Sequence, residues 1–171
     1  MAAVEDAIAL AECAYEEGED EEKDEAAEAL ASAHETAGEL FAAAEKRSDA
    51  YGAHRRALAL REMLCRNRAT DARLEMLRNS HRALAALCRE GSIERDEYGD
   101  AYLSYDVKQA QTHEDFHAAA VGYLRLARSS RRMKEFISRA RDLWKKAEAV
   151  APDHPVYPRF VLKMEDILAD L

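Results

Sequence analysis

The chain has 171 residues and a net charge of −9, from 34 acidic and 25 basic side chains. That length can bury a real core and forces no second domain. Apolar runs stop after a few residues, which excludes a membrane span, and the acidic start lacks the basic and apolar regions of a signal peptide, so a cytoplasmic protein is expected. Ala, Leu, Glu and Arg dominate, Gly numbers six and Pro three, and the apolar period is helical nearly throughout, so the fold class is all-α. Cys13, Cys65 and Cys88 are odd in number and far apart, which disfavours a disulfide framework or a zinc site. Charge divides along the chain: residues 1–49 hold 16 acids against 3 bases, and residues 50–95 hold 5 acids against 10 arginines. Such a division suits solvated helix faces that attract one another, or a charged partner surface.

Val4, Ile8, Ala11 and Tyr15 share one face and predict a first helix over 2–17, ended near Gly18. The acidic run Glu19–Glu25 reads as a loop or first turn, where negative charge favours a helix N-terminus. Leu30, Ala33, Ala37, Leu40 and Ala44 form the inward stripe of a second helix, about 23–46. Ser48 is placed to cap a third, about 49–66, with Ala53, Ala57, Leu60 and Leu64 inward and Arg55, Arg56 and Arg61 pointing mostly away. Thr70 offers a cap for a fourth, about 71–90, whose apolar face is Leu74, Leu77, Leu84 and Leu87, with His81 beside it as a packing residue and Gly91 as terminator. Tyr98, Ala101, Tyr102 and Tyr105 make an aromatic stripe on a fifth helix, about 93–109.

Thr112-His-Glu-Asp115 matches a capping box and opens a sixth helix, about 113–129. Ala140, Leu143, Trp144, Ala147 and Val150 line a seventh, about 131–150, which Pro152 stops. Pro155 or Pro158 can sit in the first turn of an eighth, about 156–170, with Val161, Met164, Leu168 and Leu171 inward. Eight helices on short links predict consecutive antiparallel hairpins within one domain, 1–171, with 1–66 (a three-helix bundle) and 67–171 as candidate sub-units.

The spacing of Phe116, Ala119, Ala120 and Tyr123, followed by Ala140, Trp144, Ala147 and Pro152, resembles the two helices of a tetratricopeptide repeat over about 113–152. The gap between Tyr123 and Ala140 exceeds the family's by about two helical turns, so the hairpin would be elongated. The resemblance implies a right-handed α-solenoid that binds a peptide or helix of a partner protein in a groove. Phe116, Tyr123, Ala140, Trp144, Ala147 and Pro152 would be structural. The first helix would line the groove with His117, Val121, Leu124, Arg125 and Arg128, a mixed apolar and cationic set suited to an amphipathic or acidic segment. The stretch Glu28–Glu45 also resembles the middle helix of microtubule-interacting and trafficking domains, and Lys134–Val150 is similar to their third helix. That second resemblance implies a bundle that takes amphipathic helices in membrane trafficking.

Catalytic signals are sparse. No Gly-rich phosphate loop, nucleophile elbow, Cys pair or zincin helix is present. His113 and His117 fall at i,i+4 in a stretch that contains Glu-x-x-His, and a helical-bundle metal or ligand enzyme built on them is the rival reading. A di-iron bundle requires a second such unit and two further inward glutamates, so no metal or cofactor is expected. The basic cluster Arg125, Arg128, Arg131, Arg132, Lys134, Arg139, Arg141, Lys145 and Lys146 suits a solvated face or an acidic peptide, phosphorylated tail or anionic lipid; its thin aromatic interleaving disfavours nucleic acid. The sequence therefore reads as a non-catalytic protein-interaction adaptor, with a homodimer compatible.

Overall fold

The computed structural model describes residues 2–17 and 20–171, and the side chains of residues 5–17 and 22–171. These residues form eight α-helices: α1 (Ala2–Glu17), α2 (Asp20–Ala43), α3 (Arg47–Asn67), α4 (Asp71–Leu87), α5 (Ile93–Gln109), α6 (His113–Ala127), α7 (Met133–Val150) and α8 (Tyr157–Asp170). The expected all-α class is therefore the observed one. The expected stop at Gly18 and the inward placing of Val4 lie outside the described residues. The chain divides into two compact units, 1–87 and 88–171.

In the first unit each helix packs on the next, α1 on α2, α2 on α3 and α3 on α4. Small side chains let α2 and α3 approach closely: Ala27, Ala31, Ala50 and Ala57 are all 0–1% exposed, around Leu30, Leu58 and Leu64. The unit boundary falls after the fourth helix, where the sequence reading set it after the third. Two arginines explain why α4 belongs here. Arg73 donates to Glu28 (2.8 Å) and Asp24 (3.0 Å) on α2 and to the Leu64 and Arg68 carbonyls (both 3.2 Å) at the open end of α3. The Leu64 carbonyl already accepts the Arg68 N–H that closes α3 (2.9 Å), so the guanidinium shares that acceptor and ties α4 to the end of α3 and to α2 at once.

Arg61 is the second tie and corrects an expectation. It is 5% exposed, not outward. Its guanidinium donates to Ser80 Oγ (2.7 Å) and the Met76 carbonyl (3.0 Å) on α4, and in fork fashion to both carboxylate oxygens of Glu35 on α2. A buried charge survives because every donor direction used here meets an acceptor. The α2–α3 turn corrects a second expectation. Glu45 has φ 58°, its N–H donates to the Ala42 carbonyl (3.0 Å) and the Lys46 N–H to that of Phe41 (2.9 Å), which is a Schellman closure with a non-glycine residue in the left-handed position. The second helix therefore ends at Ala43, with Leu40 42% exposed and Ala44 beyond the helix. The third begins at Arg47 with Lys46 as N-cap and no side-chain cap bond, so Ser48 sits inside the first turn and caps nothing.

In the second unit α5 packs on α6, α6 on α7 and α7 on α8. Its core gathers Leu103, Tyr123, Leu126, Phe136, Ile137, Leu143 and Trp144, with Tyr157, Val161 and Met164 of α8. Trp144 is 2% exposed and Ala140 and Ala147 are fully buried, so the stripe read from sequence faces inward except for Val150, which at 51% exposed lies in the last turn beyond the cover of α8. The Ala151 N–H closes α7 on the Ala147 carbonyl (2.9 Å) just before Pro152. Pro158, not Pro155, occupies the first turn of α8. Leu171, expected inward, is 51% exposed because it follows the last helical residue.

Candidate functional site: a cationic cleft on the second unit

The start of α5 is fixed by Ser92, whose hydroxyl accepts from the Arg95 N–H at 3.2 Å. The start of α6 is fixed by the predicted capping box: Thr112 Oγ1 accepts from the Asp115 N–H (3.2 Å), and Asp115 accepts from the Thr112 N–H (2.9 Å) and the Gln111 N–H (3.1 Å). Those hydrogen bonds hold the Asp115 carboxyl below its usual range. The two helices cross closely through reciprocal glycines. A Cβ on Gly122 would meet Leu103 at 2.5 Å, and one on Gly99 would meet Leu126 at 2.6 Å, so each leucine lies in the space left by the other helix's glycine.

This close crossing brings α5 beside α7 around the Tyr123 hydroxyl. Tyr123 is 2% exposed, and its O–H donates to Asp100 on α5 at 3.1 Å. Arg139 of α7 donates to the same carboxylate and to the Tyr123 oxygen (3.2 Å), and Ser104 donates to Asp100 at 3.3 Å. Arg132 bridges Asp100 (3.0 Å) and Glu135 (2.6 Å), and Arg139 also reaches Glu135 (2.8 Å). Two guanidinium groups thus face two carboxylates. Arg132, chiefly by hydrogen bonding, depresses the Glu135 carboxyl below its usual value, whereas burial pushes the Tyr123 hydroxyl up.

Above this network lies an open cleft of about 300 Å³. Ser104, Val107 and Lys108 of α5 form one wall, Arg139, Asp142, Leu143 and Lys146 of α7 the other, and Tyr123 of α6 contributes between them. Half-buried Val107 gives apolar contact area, with Leu143 buried behind the α7 wall; Lys108, Arg139 and Lys146 give positive charge. The arrangement suits a side chain or short segment that is part apolar and part anionic.

The residues proposed from sequence for a groove are dispersed relative to this cleft. His117 is held in the aromatic core, its Nδ1 accepting from Trp144 Nε1 (3.0 Å) and its ring stacked on Phe160 (5.8 Å between centroids) and near Tyr157. Val121 and Leu124 are half-buried against the core cluster. Arg125 and Arg128 are exposed. None of the five lines the cleft, to which α6 contributes Tyr123. Of the structural set, Tyr123, Ala140, Trp144 and Ala147 are buried, Phe116 is half-buried beneath Lys146, and Pro152 is exposed.

The other imidazole of the rival reading is engaged as well: His113 Nδ1 is 2.7 Å from the Tyr157 hydroxyl, and its Nε2 is 3.2 Å from Glu114. With Nδ1 of both rings in hydrogen bonds, His113 and His117 serve as packing groups of the α6–α8 junction. Among the described residues no group of three or more His, Cys, Asp and Glu side chains could hold a metal ion, and no helix is long and apolar enough to cross a membrane.

Of the cleft lining, Arg139 and Lys146 fall in the basic cluster read from sequence, whereas Val107 and Lys108 were not singled out, because the groove was inferred from one face of α6. The available signal was the interleaving of apolar and cationic residues at helical steps, 104-107-108 and 139-142-143-146. No protein-family model, curated protein or solved structure matches this chain.

Proposed function

We propose that the protein is a non-catalytic interaction module that binds a peptide or helix of a partner protein, and that the α5–α7 cleft is the binding site. The observation that carries this reading is the cleft itself: a preformed space of about 300 Å³ with half-buried Val107 at its apolar side, flanked by lysines on two helices. The network beneath it supports the same reading, because Asp100, Tyr123, Arg132 and Arg139 cross-link α5, α6 and α7 and hold the walls before any partner arrives. The tetratricopeptide-like spacing of Phe116, Tyr123, Ala140 and Trp144 agrees with a helical hairpin used as a scaffold, with the cleft beside it in place of the groove inferred from sequence.

Lys108→Glu/Lys146→Glu changes two exposed side chains and should leave helicity and melting nearly unchanged while reducing capture of the main partner from lysate by at least about tenfold. Leu124→Glu/Arg125→Glu, off the cleft, provides the comparison. If capture survives the lysine pair and is lost with the second pair, the cleft is not the site.

A further inference from the structure

The walls of the cleft do not cancel their own charge. Arg132 and Arg139 face Asp100 and Glu135, two against two. Asp142 is taken by Arg141, whose Nε and Nη2 both donate to it (2.9 and 2.7 Å). Lys108 and Lys146 are left over. Neither belongs to an ion pair among the described residues; the Lys146 ammonium lies 5.9 Å from the centroid of the Phe116 ring, a contact that places it without neutralising it. Two uncompensated ammonium groups therefore border half-buried Val107 over a floor whose charges are already satisfied.

On the reading of this cleft as a peptide site, we propose that its occupant is an acidic segment carrying two acidic side chains one helical turn apart, next to an apolar residue. Charge count supports the dianion. A single carboxylate would leave one lysine unpaired, whereas two negative charges neutralise both. Lysine ammonium groups act as point charges with three donors each and pair with carboxylates without the planar geometry that a guanidinium fork selects. The apolar residue follows from Val107, half-buried at the edge of the core, which remains partly wetted until something apolar covers it. A single-stranded nucleic acid fits poorly: Tyr123 is the one aromatic ring in the lining, and at 2% exposed it offers no face for a base.

The test pans the whole chain against a random phage-displayed peptide library, then titrates the enriched peptides into isotope-labelled protein. The expected peptides carry two acids within one helical turn beside an apolar residue and shift the amides of Val107, Lys108, Leu143 and Lys146. Replacing both acids by Gln should weaken binding about tenfold or more, and Lys108→Ala/Lys146→Ala should erase that difference while leaving the circular dichroism unchanged. A phosphoserine version that binds more tightly than the paired-acid version overturns the paired acids in favour of one phosphorylated side chain; equal or weaker binding supports them. Peptides that shift the cleft but bind equally well as Gln versions overturn the dianion while leaving the peptide site standing. No enrichment, or shifts confined to other residues, overturns both.

Discussion

Replacing Arg61 by alanine tests whether the first unit depends on a buried guanidinium. Arg61 is 5% exposed and joins three helices through Glu35, Met76 and Ser80. Truncation leaves the Ser80 hydroxyl, 1% exposed, without this donor, at a cost of about 1–3 kcal/mol for a buried polar group. The Glu35 side chain retains 28% exposure, so water recovers much of its lost pairing, and its share is set at about 1 kcal/mol. Lost packing of the aliphatic stem adds about 1 kcal/mol. The sum, about 3–5 kcal/mol, matches the usual cost of breaking a buried pair by removing one partner. Urea unfolding followed by helical circular dichroism reads the change, provided the slope with denaturant stays constant. Arg61→Ala/Glu35→Ala should cost less than the two single substitutions added together, because the second removal no longer breaks a pair. A single-variant cost under about 1 kcal/mol, or strict additivity, would refute the argument that this contact organises the α2–α4 junction.

Trp144→Ala should destabilise the second unit by about 3–5 kcal/mol, since it removes a ring that stacks on Phe160 at 4.6 Å; a red, water-like emission from the native protein would contradict its burial. Glu45→Gly should stabilise by about 0.5–1 kcal/mol by relieving the left-handed position, and a lower melting temperature would show that the Glu45 side chain contributes more than the backbone strain costs. His34 and His54 are 4% and 5% exposed, and burial lowers both below the ordinary value of 6.5, with Arg56 adding to the effect at His34 and Glu35 and Glu39 opposing it at His54. The folded form binds fewer protons, so stability should be full above about pH 6.5 and fall as pH drops toward the lowered values; His34→Leu/His54→Leu should flatten that slope, and an unchanged slope would assign it to other groups.

Local signals in the sequence transferred well to the structure, and long-range ones did not. Thr70 and Thr112 cap α4 and α6 as read, because a cap is decided by residues three apart, whereas Ser48 lies inside α3 because that helix starts at Arg47. Trp144, Ala140 and Ala147 lie on one stripe by helical period alone. Arg61 was misplaced although it occupies the Ala57–Leu64 face, since a charged residue in that register is buried only when partners exist, and Glu35 is 26 residues away. The end of α2 was missed for a different reason. Its left-handed residue is Glu45, and the usual marker of such a stop is glycine.

The cleft was hidden because a run of charge in sequence is not a patch in space. Of the nine cations between Arg125 and Lys146, Arg132, Arg139, Arg141 and Lys145 are neutralised by Asp100, Glu135, Asp142 and Glu165. The decisive partner, Asp100, lies 39 residues before Arg139 on another helix, so no count within the run could reveal which charges remain. Lys108, outside the run altogether, joins Lys146 only because Gly99 and Gly122 let α5 and α6 cross closely enough to bring α5 alongside α7. A bulkier residue at either glycine would have to displace Leu103 or Leu126, and the cleft depends on that crossing more than on any residue in its lining. Its charge is thus a property of the packing, which sets apart two lysines by pairing Arg132, Arg139 and Arg141 with carboxylates.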